Sequence, residues 1–189
     1  MDKIADYSGK LLNHLQGFHR DGERDLVIQL MEALGLTCVD VSTGGGWKLL
    51  RIHLDGSDRN VIDNVMFISP TPPALARVDA LLQDRARNDN ELGEALEGYF
   101  ASAANGDATA HFGVHYRTAA EYEQAVERTL AHPALKGRVT IDEVPASPPV
   151  ADFPYVRRSF LRTDLFSLGM LTLGQTIELQ VDPSESVAP

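Results

Sequence analysis

The chain carries one short pattern twice, and that repetition limits the folds open to its 189 residues more than any other feature. The first copy is Leu12-Asn13-His14-Leu15-Gln16-Gly17-Phe18-His19-Arg20-Asp21. The second is Thr109-Ala110-His111-Phe112-Gly113-Val114-His115-Tyr116-Arg117-Thr118. Each sets a histidine in a short apolar run, seven residues ahead of a helix-capping side chain, Asp21 or Thr118. Each then leads into an amphipathic helix and a set of strands. His14 falls on His111 at a shift of 97 (111 − 14), and Leu26 falls on Tyr122 at a shift of 96 (122 − 26). A repeat of this size predicts two copies of one small module, and matched histidines predict a site shared between them.

In the first copy residues 10–18 fit a strand, although Leu and Gln leave a helix open. A helix starting at Asp21 places Leu26, Leu30 and Leu34 on one face at a spacing of four and is closed by Gly35. Strands are expected over 36–41, 47–54 and 60–69. Gly44-Gly45-Gly46 opens no helix and lacks a following Lys-Ser/Thr, so it reads as a flexible connection rather than a phosphate loop. In the second copy Thr118 and Glu121 form a capping box, with Tyr122, Val126 and Leu130 as the core face and His132-Pro133 as the stop. Strands are expected over 138–144, over 157–173 with a bend near Ser167-Leu168-Gly169, and over 176–181 after a turn at Gly174-Gln175. A proline-rich excursion fills 145–154. Between the copies, residues 71–110 read as one or two connecting helices broken near Asn88-Asp89-Asn90. The expected fold is α+β: a first module at 1–70, a helical connector at 71–107, a second module at 108–182 and a loose tail at 183–189. Both modules run strand, helix, strand, strand, strand.

Composition narrows the partners. With 43% hydrophobic and 23% charged residues the chain is of ordinary globular make-up. A net charge of −10 argues against nucleic acid and anionic membranes, which both need a positive field. A small anionic substrate stays open, since a bound divalent metal reverses the local sign. The single Cys38 excludes an intrachain disulfide and fits a reducing compartment. No leader pattern opens the chain and no apolar run approaches the ~20 residues that span a bilayer, so a soluble, cytoplasmic protein is expected. A homodimer is compatible with all of this.

The chemistry centres on His14, His111 and two acidic residues near the ends of the modules, Asp63 and Glu178. Counted from the turns before them, Val61-Ile62-Asp63-Asn64-Val65 and Thr176-Ile177-Glu178-Leu179-Gln180 occupy comparable places. Both carboxylates have apolar neighbours, and a lone ionised carboxylate facing a core is costly, so each should be paired, metal-bound or protonated. Asp63 beside Asn64 is equally suited to a bulge or turn. At period two, Ile177, Leu179 and Val181 point to one face and Glu178 and Gln180 to the other. His115 shares the strand face of His111 and reads as a ligand or a substrate contact. His19, His53 and His132 read as solvent-exposed, and Trp47 and Phe153 as core or rim residues.

On these residues, and on Ala33-Leu34-Gly35-Leu36 leading from helix to strand, the chain resembles the vicinal oxygen chelate superfamily. That group includes glyoxalase I, bleomycin- and fosfomycin-resistance proteins, methylmalonyl-CoA epimerase and the extradiol dioxygenases. The resemblance covers about 10–69 and 108–182. It implies paired βαβββ units curled into a half-open barrel cup, with a divalent metal (Zn, Fe, Mn, Ni or Co) held by His14, Asp63, His111 and Glu178. The implied activity is that of a lyase or isomerase. A substrate chelates the metal through adjacent oxygens, an enolate is stabilised, and Glu178 or Asp63 acts as general base. His115 and Gln180 are the expected substrate contacts. Asp63 stands where isomerase-like members carry Glu. Without it, His14, His111 and Glu178 form the two-histidine, one-carboxylate set of a non-haem iron dioxygenase. Residues 159–173 lack the additional His and Tyr groups of extradiol enzymes, which ranks ring cleavage second. The alternative outside catalysis is metal-free ligand sequestration of the bleomycin-resistance kind.

Overall fold

A computed structural model describes residues 12–42, 48–54, 64–103, 109–144 and 157–181. The expectations for Gly44–Gly46, Trp47, Asp63, Phe153, the proline-rich excursion and the tail lie outside the described residues. In chain order the elements are β1 (His14–His19), α1 (Arg24–Ala33), β2 (Thr37–Ser42), β3 (Lys48–His53) and β4 (Val65–Pro70). Then come α2 (Pro73–Asn88), α3 (Asn90–Ala103), β5 (His111–Tyr116), α4 (Ala119–Ala131), β6 (Val139–Val144), β7 (Arg157–Thr163), β8 (Phe166–Ser167) and β9 (Gln175–Val181).

The fold class is α+β, with two open sheets among the described residues. The first sheet has the order β2-β3-β4-β1-β8, and the second β5-β9-β7-β6. The two share a wiring: β1 runs parallel to β4 and β5 parallel to β9, while the other neighbours are antiparallel. Each helix lies between the first two strands of its half. Leu36 N–H reaches back to Met31 O at 2.9 Å to close α1, which Gly35 allows by taking φ +85°. The Thr118 hydroxyl accepts from Glu121 N–H at 3.2 Å to open α4, while the Glu121 carboxylate accepts from Arg117 N–H.

The halves share one core. Val27, Leu30, Leu34, Ile52 and Ile68 of the first and Tyr122, Leu161, Ile177 and Leu179 of the second are essentially inaccessible to solvent and belong to one cluster. The last carbonyls of α1, which have no partner inside the helix, are taken by the other half. Tyr116 donates to Leu34 O at 3.0 Å and Arg128 Nε to Ala33 O at 3.1 Å.

The fold departs from the sequence reading at the start of the first helix, where α1 begins at Arg24 after Glu23 and Asp21 does not cap it, and in three further places. Residues 157–173 do not form one bent strand: the chain leaves β7 after Thr163 and crosses as β8 to pair with Phe18 and His19 of β1. A short 3₁₀ turn at Leu171–Leu173 precedes β9. Burying Leu165 and Phe166 completely in the shared core compensates for the broken strand, and Arg138 holds Asp164 at the corner at 2.8 Å. On α4 the buried side chains are Tyr122, Ala125 and Thr129, while Leu130 is 59% exposed. A strict spacing of four drifts around a 3.6-residue helix, so the third position leaves the core face. Thr129 tolerates burial because its hydroxyl donates to Ala125 O at 2.8 Å. Finally, His19 and His53 are buried and His132 is half-buried. His19 Nδ1 donates to Arg20 O at 2.7 Å, and His53 Nε2 accepts from Arg51 Nε at 3.0 Å. No helix among the described residues is long and apolar enough to cross a membrane.

Candidate functional site

Strand alternation gives the second sheet one apolar and one polar face. Val114, Ile177, Leu179 and Leu161 face the core and are buried. Ladder partners share a face, so register assembles the opposite one: His111 beside Thr176, Gly113 beside Glu178, His115 beside Gln180. From β7 the same register adds Arg158 beside Gln180, Phe160 beside Glu178 and Arg162 beside Thr176.

Glu178 is the centre of this face. It is 7% exposed, and its two oxygens meet different partners: Oε2 lies 3.4 Å from His111 Nε2 and Oε1 lies 3.4 Å from an Arg158 Nη. The other ring nitrogen of His111 lies 2.8 Å from Thr109 O. A carbonyl only accepts, so Nδ1 carries the proton and donates. In the neutral ring Nε2 therefore turns a lone pair toward a carboxylate oxygen, an arrangement that repels. A proton or a cation between the two atoms would turn that contact from repulsive to attractive. Thr109 is fixed in turn by a 3.2 Å hydroxyl contact to Thr176. His111 also packs edge-to-face on Phe160, with ring centroids 5.4 Å apart, and Arg158 lies over the same ring at 5.8 Å. Gly113 leaves the flank of Glu178 open: a Cβ there would sit 3.8 Å from Oε2.

The first sheet presents a comparable face with other chemistry. His14 pairs with Val65 as His111 pairs with Thr176, which puts Gln16 beside Phe67 where the second sheet has Gly113 beside Glu178. Phe67 therefore takes the ladder position equivalent to Glu178, and Asp63 lies outside the described residues. The ladder begins at Val65, after Asn64 turns with φ +56°. His14 packs edge-to-face on Phe67 at 5.4 Å and its Nδ1 contacts the Asn13 side chain. Gln16 donates to Ser69 Oγ at 3.2 Å.

Of the expected site residues, His111, Glu178, His115 and Gln180 lie on one polar face, and His14 occupies the equivalent face of the other sheet. Among the described residues no three His, Cys, Asp or Glu side chains gather as a group able to hold a metal ion. A catalytic zinc ordinarily takes three protein ligands. The described donors beside Glu178 stop at His111, and a guanidinium already stands on the other carboxylate oxygen. Of the four expected metal ligands, His111 and Glu178 stand together, His14 lies on the other sheet, and Asp63 is outside the described residues. The sequence reading missed Arg158 and Thr109. Arg158-x-Phe160-x-Arg162 alternates on a strand that pairs with the one carrying Glu178, which was the available signal. No family model matches the chain, and no curated protein matches it.

Proposed function

We propose that this chain is a glyoxalase-like proton-transfer enzyme, a lyase or isomerase acting on a small substrate with adjacent oxygens, and that Glu178 is its base. The observation that carries this reading is the apposition of His111 Nε2 and Glu178 Oε2 at 3.4 Å, with Nδ1 clamped by Thr109. The repeated strand order in the two halves supports the paired βαβββ cup of the vicinal oxygen chelate superfamily as its fold. In the reaction the Glu178 carboxylate takes the proton from the carbon beside a carbonyl, and the electron pair moves to the carbonyl oxygen as an enolate. The Arg158 guanidinium, 3.4 Å from Glu178, is the cation available to stabilise that oxygen. Returning the proton from Glu178 to the neighbouring carbon, while the hydroxyl proton passes from its own oxygen to the enolate oxygen, completes the isomerisation. His115 and Gln180, one ladder step on, hold the rest of the substrate.

A second reading is the metal site shared with His14. The carbonyl-anchored Nδ1 of His111 favours it, because metal-bound imidazoles are held that way. Deuterium exchange at the carbon beside the carbonyl of pyruvate and dihydroxyacetone, followed by proton NMR with and without a chelator, tests the proposal. Exchange well above buffer, insensitive to chelator and reduced at least ~100-fold in Glu178→Gln, is expected. Exchange abolished by chelator, with metal near one per chain, supports the shared metal site. Saturable binding of either probe with no exchange supports sequestration and contradicts catalysis.

A further inference from the structure

A cavity of about 360 Å³ lies against the polar face of the second sheet, within the ~300–1,000 Å³ of ordinary small-molecule sites. Three of the residues lining it belong to that face. Thr176 shares the face with Glu178 by strand alternation, Arg162 is the ladder partner of Thr176, and Thr140 is the ladder partner of Arg162. Thr176 precedes Glu178 by two residues on β9, a step of about 7 Å at strand spacing, on the side away from Gln180. Tyr99 and Phe100, near the end of α3, supply another part of the wall. Arg162 ties that helix end to the face, because one Nη donates to Phe100 O at 3.3 Å. A substituent on a substrate held at Glu178 therefore has room one ladder row away.

The chemistry of the wall limits what that substituent can be. Both guanidiniums that line the cavity already hold a carboxylate at 2.8 Å: Arg138 holds Asp164, and Arg162 holds Asp142. Neither is left to neutralise a phosphate or a carboxylate, so the group is uncharged. Most of the polar side chains are engaged as well. Thr163 accepts from Leu165 N–H, Thr172 donates to Asp79, and Thr176 meets the Thr109 hydroxyl. Gln175 donates to Thr176 O and accepts from Leu168 N–H. A polyol would find few partners there. Aromatic surface and one donor are what the wall still offers. Phe100 is 40% exposed and meets Tyr99 edge-to-face at 5.6 Å, and Nε of Arg162 is buried with no acceptor among the described residues. A flat apolar ring suits the first, since both aromatic and guanidinium planes pack on such rings. One acceptor oxygen on that ring suits the second.

We propose that this cavity binds an aromatic ring, which makes the substrate an aryl ketone with a neighbouring hydroxyl. The inference rests on the proton-transfer reading for its reaction but not for its binding. Calorimetric titration and deuterium exchange on the full chain test it, with hydroxyacetone and 2-hydroxyacetophenone as probes. The two share a hydroxymethyl ketone and differ by a methyl against a phenyl group. The aryl ketone is expected to bind at least ~10-fold more tightly. Phe100→Ala should remove most of that preference, leaving hydroxyacetone within about twofold and far-ultraviolet circular dichroism unchanged. Arg162→Lys keeps a charge for Asp142 but loses the planar guanidinium, and should lower the preference about threefold. In Glu178→Gln the preference should persist although exchange is lost, because the ring sits one row from the base. Aryl ketone bound in the wild type without exchange would support the cavity and contradict the enzyme. Equal affinity for the two ketones, or no binding of the aryl ketone at millimolar concentration, overturns the inference even where exchange occurs. So does a preference that survives Phe100→Ala.

Discussion

The polar faces of the two sheets start from the same wiring and end in different chemistry. Each opens with a histidine on the first strand of its half, and each histidine packs edge-to-face on a phenylalanine at 5.4 Å. In the second sheet that phenylalanine comes from the neighbouring strand, which leaves the register position on β9 to Glu178. In the first sheet Phe67 itself occupies that position, and among the described residues no carboxylate stands beside His14 in the ladder. The shared wiring thus places a histidine–carboxylate contact in one sheet and a histidine–phenylalanine contact in the other at matching sites. Wiring fixes where a side chain stands, and a single residue type decides what the site can do.

The largest contrast between the two faces is expected from Glu178→Ala set against Phe67→Ala. The first should cut proton exchange about 10³-fold, roughly 4 kcal/mol of barrier, and the second less than threefold in steady-state assays. Equal losses would erase the contrast. Next comes the glycine that delivers the chain to β9. Gly174 has φ +67°, and an added Cβ would approach Thr163 O to 2.6 Å, whereas Gly22 at φ +80° has nothing within 4 Å. Chemical denaturation should show Gly174→Ala costing about 3 kcal/mol and Gly22→Ala about 1 kcal/mol. A smaller step is expected from the cations: Arg158→Gln should lower exchange about tenfold, ~1.4 kcal/mol, and Arg51→Gln of the first face less than twofold. Comparable values would place the working cation elsewhere.

The smallest effect concerns pH. Burial, with Glu32 nearby, pushes the Cys38 thiol up from 9.0 to about 12 on the core side of the first sheet, and burial pushes the Tyr116 phenol up in the second half. A raised acid is neutral in the folded state while the unfolded chain has already ionised. Its contribution is therefore complete below pH 9 and declines as pH rises toward 12. Stability measured across that window should fall less steeply in Cys38→Ser than in the wild type. Native Cys38 should also resist iodoacetamide at pH 8, and rapid alkylation there would contradict its burial.

Much of the fold was legible because it depends on local periods. The repeated histidine pattern marked both first strands, the alternation Ile177-Glu178-Leu179-Gln180 separated the apolar and polar faces of β9, and Asn88-Asp89-Asn90 marked the break between α2 and α3. Register was less legible. Counting from turns matched Asp63 to Glu178 in the repeat, whereas only the ladder shows that Phe67 takes the register position of Glu178 among the described residues. The crossing of Phe166–Ser167 to β1 was hidden for a similar reason: it is driven by burial in a core that both halves build. Around the site, Glu178 stood out as a charge among aliphatics, whereas Thr109 acts through a backbone carbonyl that every residue possesses.

Paired histidine variants test the asymmetry most directly, with deuterium exchange and metal content measured on the same preparations. His111→Ala is expected to reduce exchange at least ~100-fold and His14→Ala less than threefold, with metal content the same in both and in the wild type. Equal loss of exchange in the two variants, accompanied by loss of bound metal from each, would contradict the account and return both histidines to one shared centre.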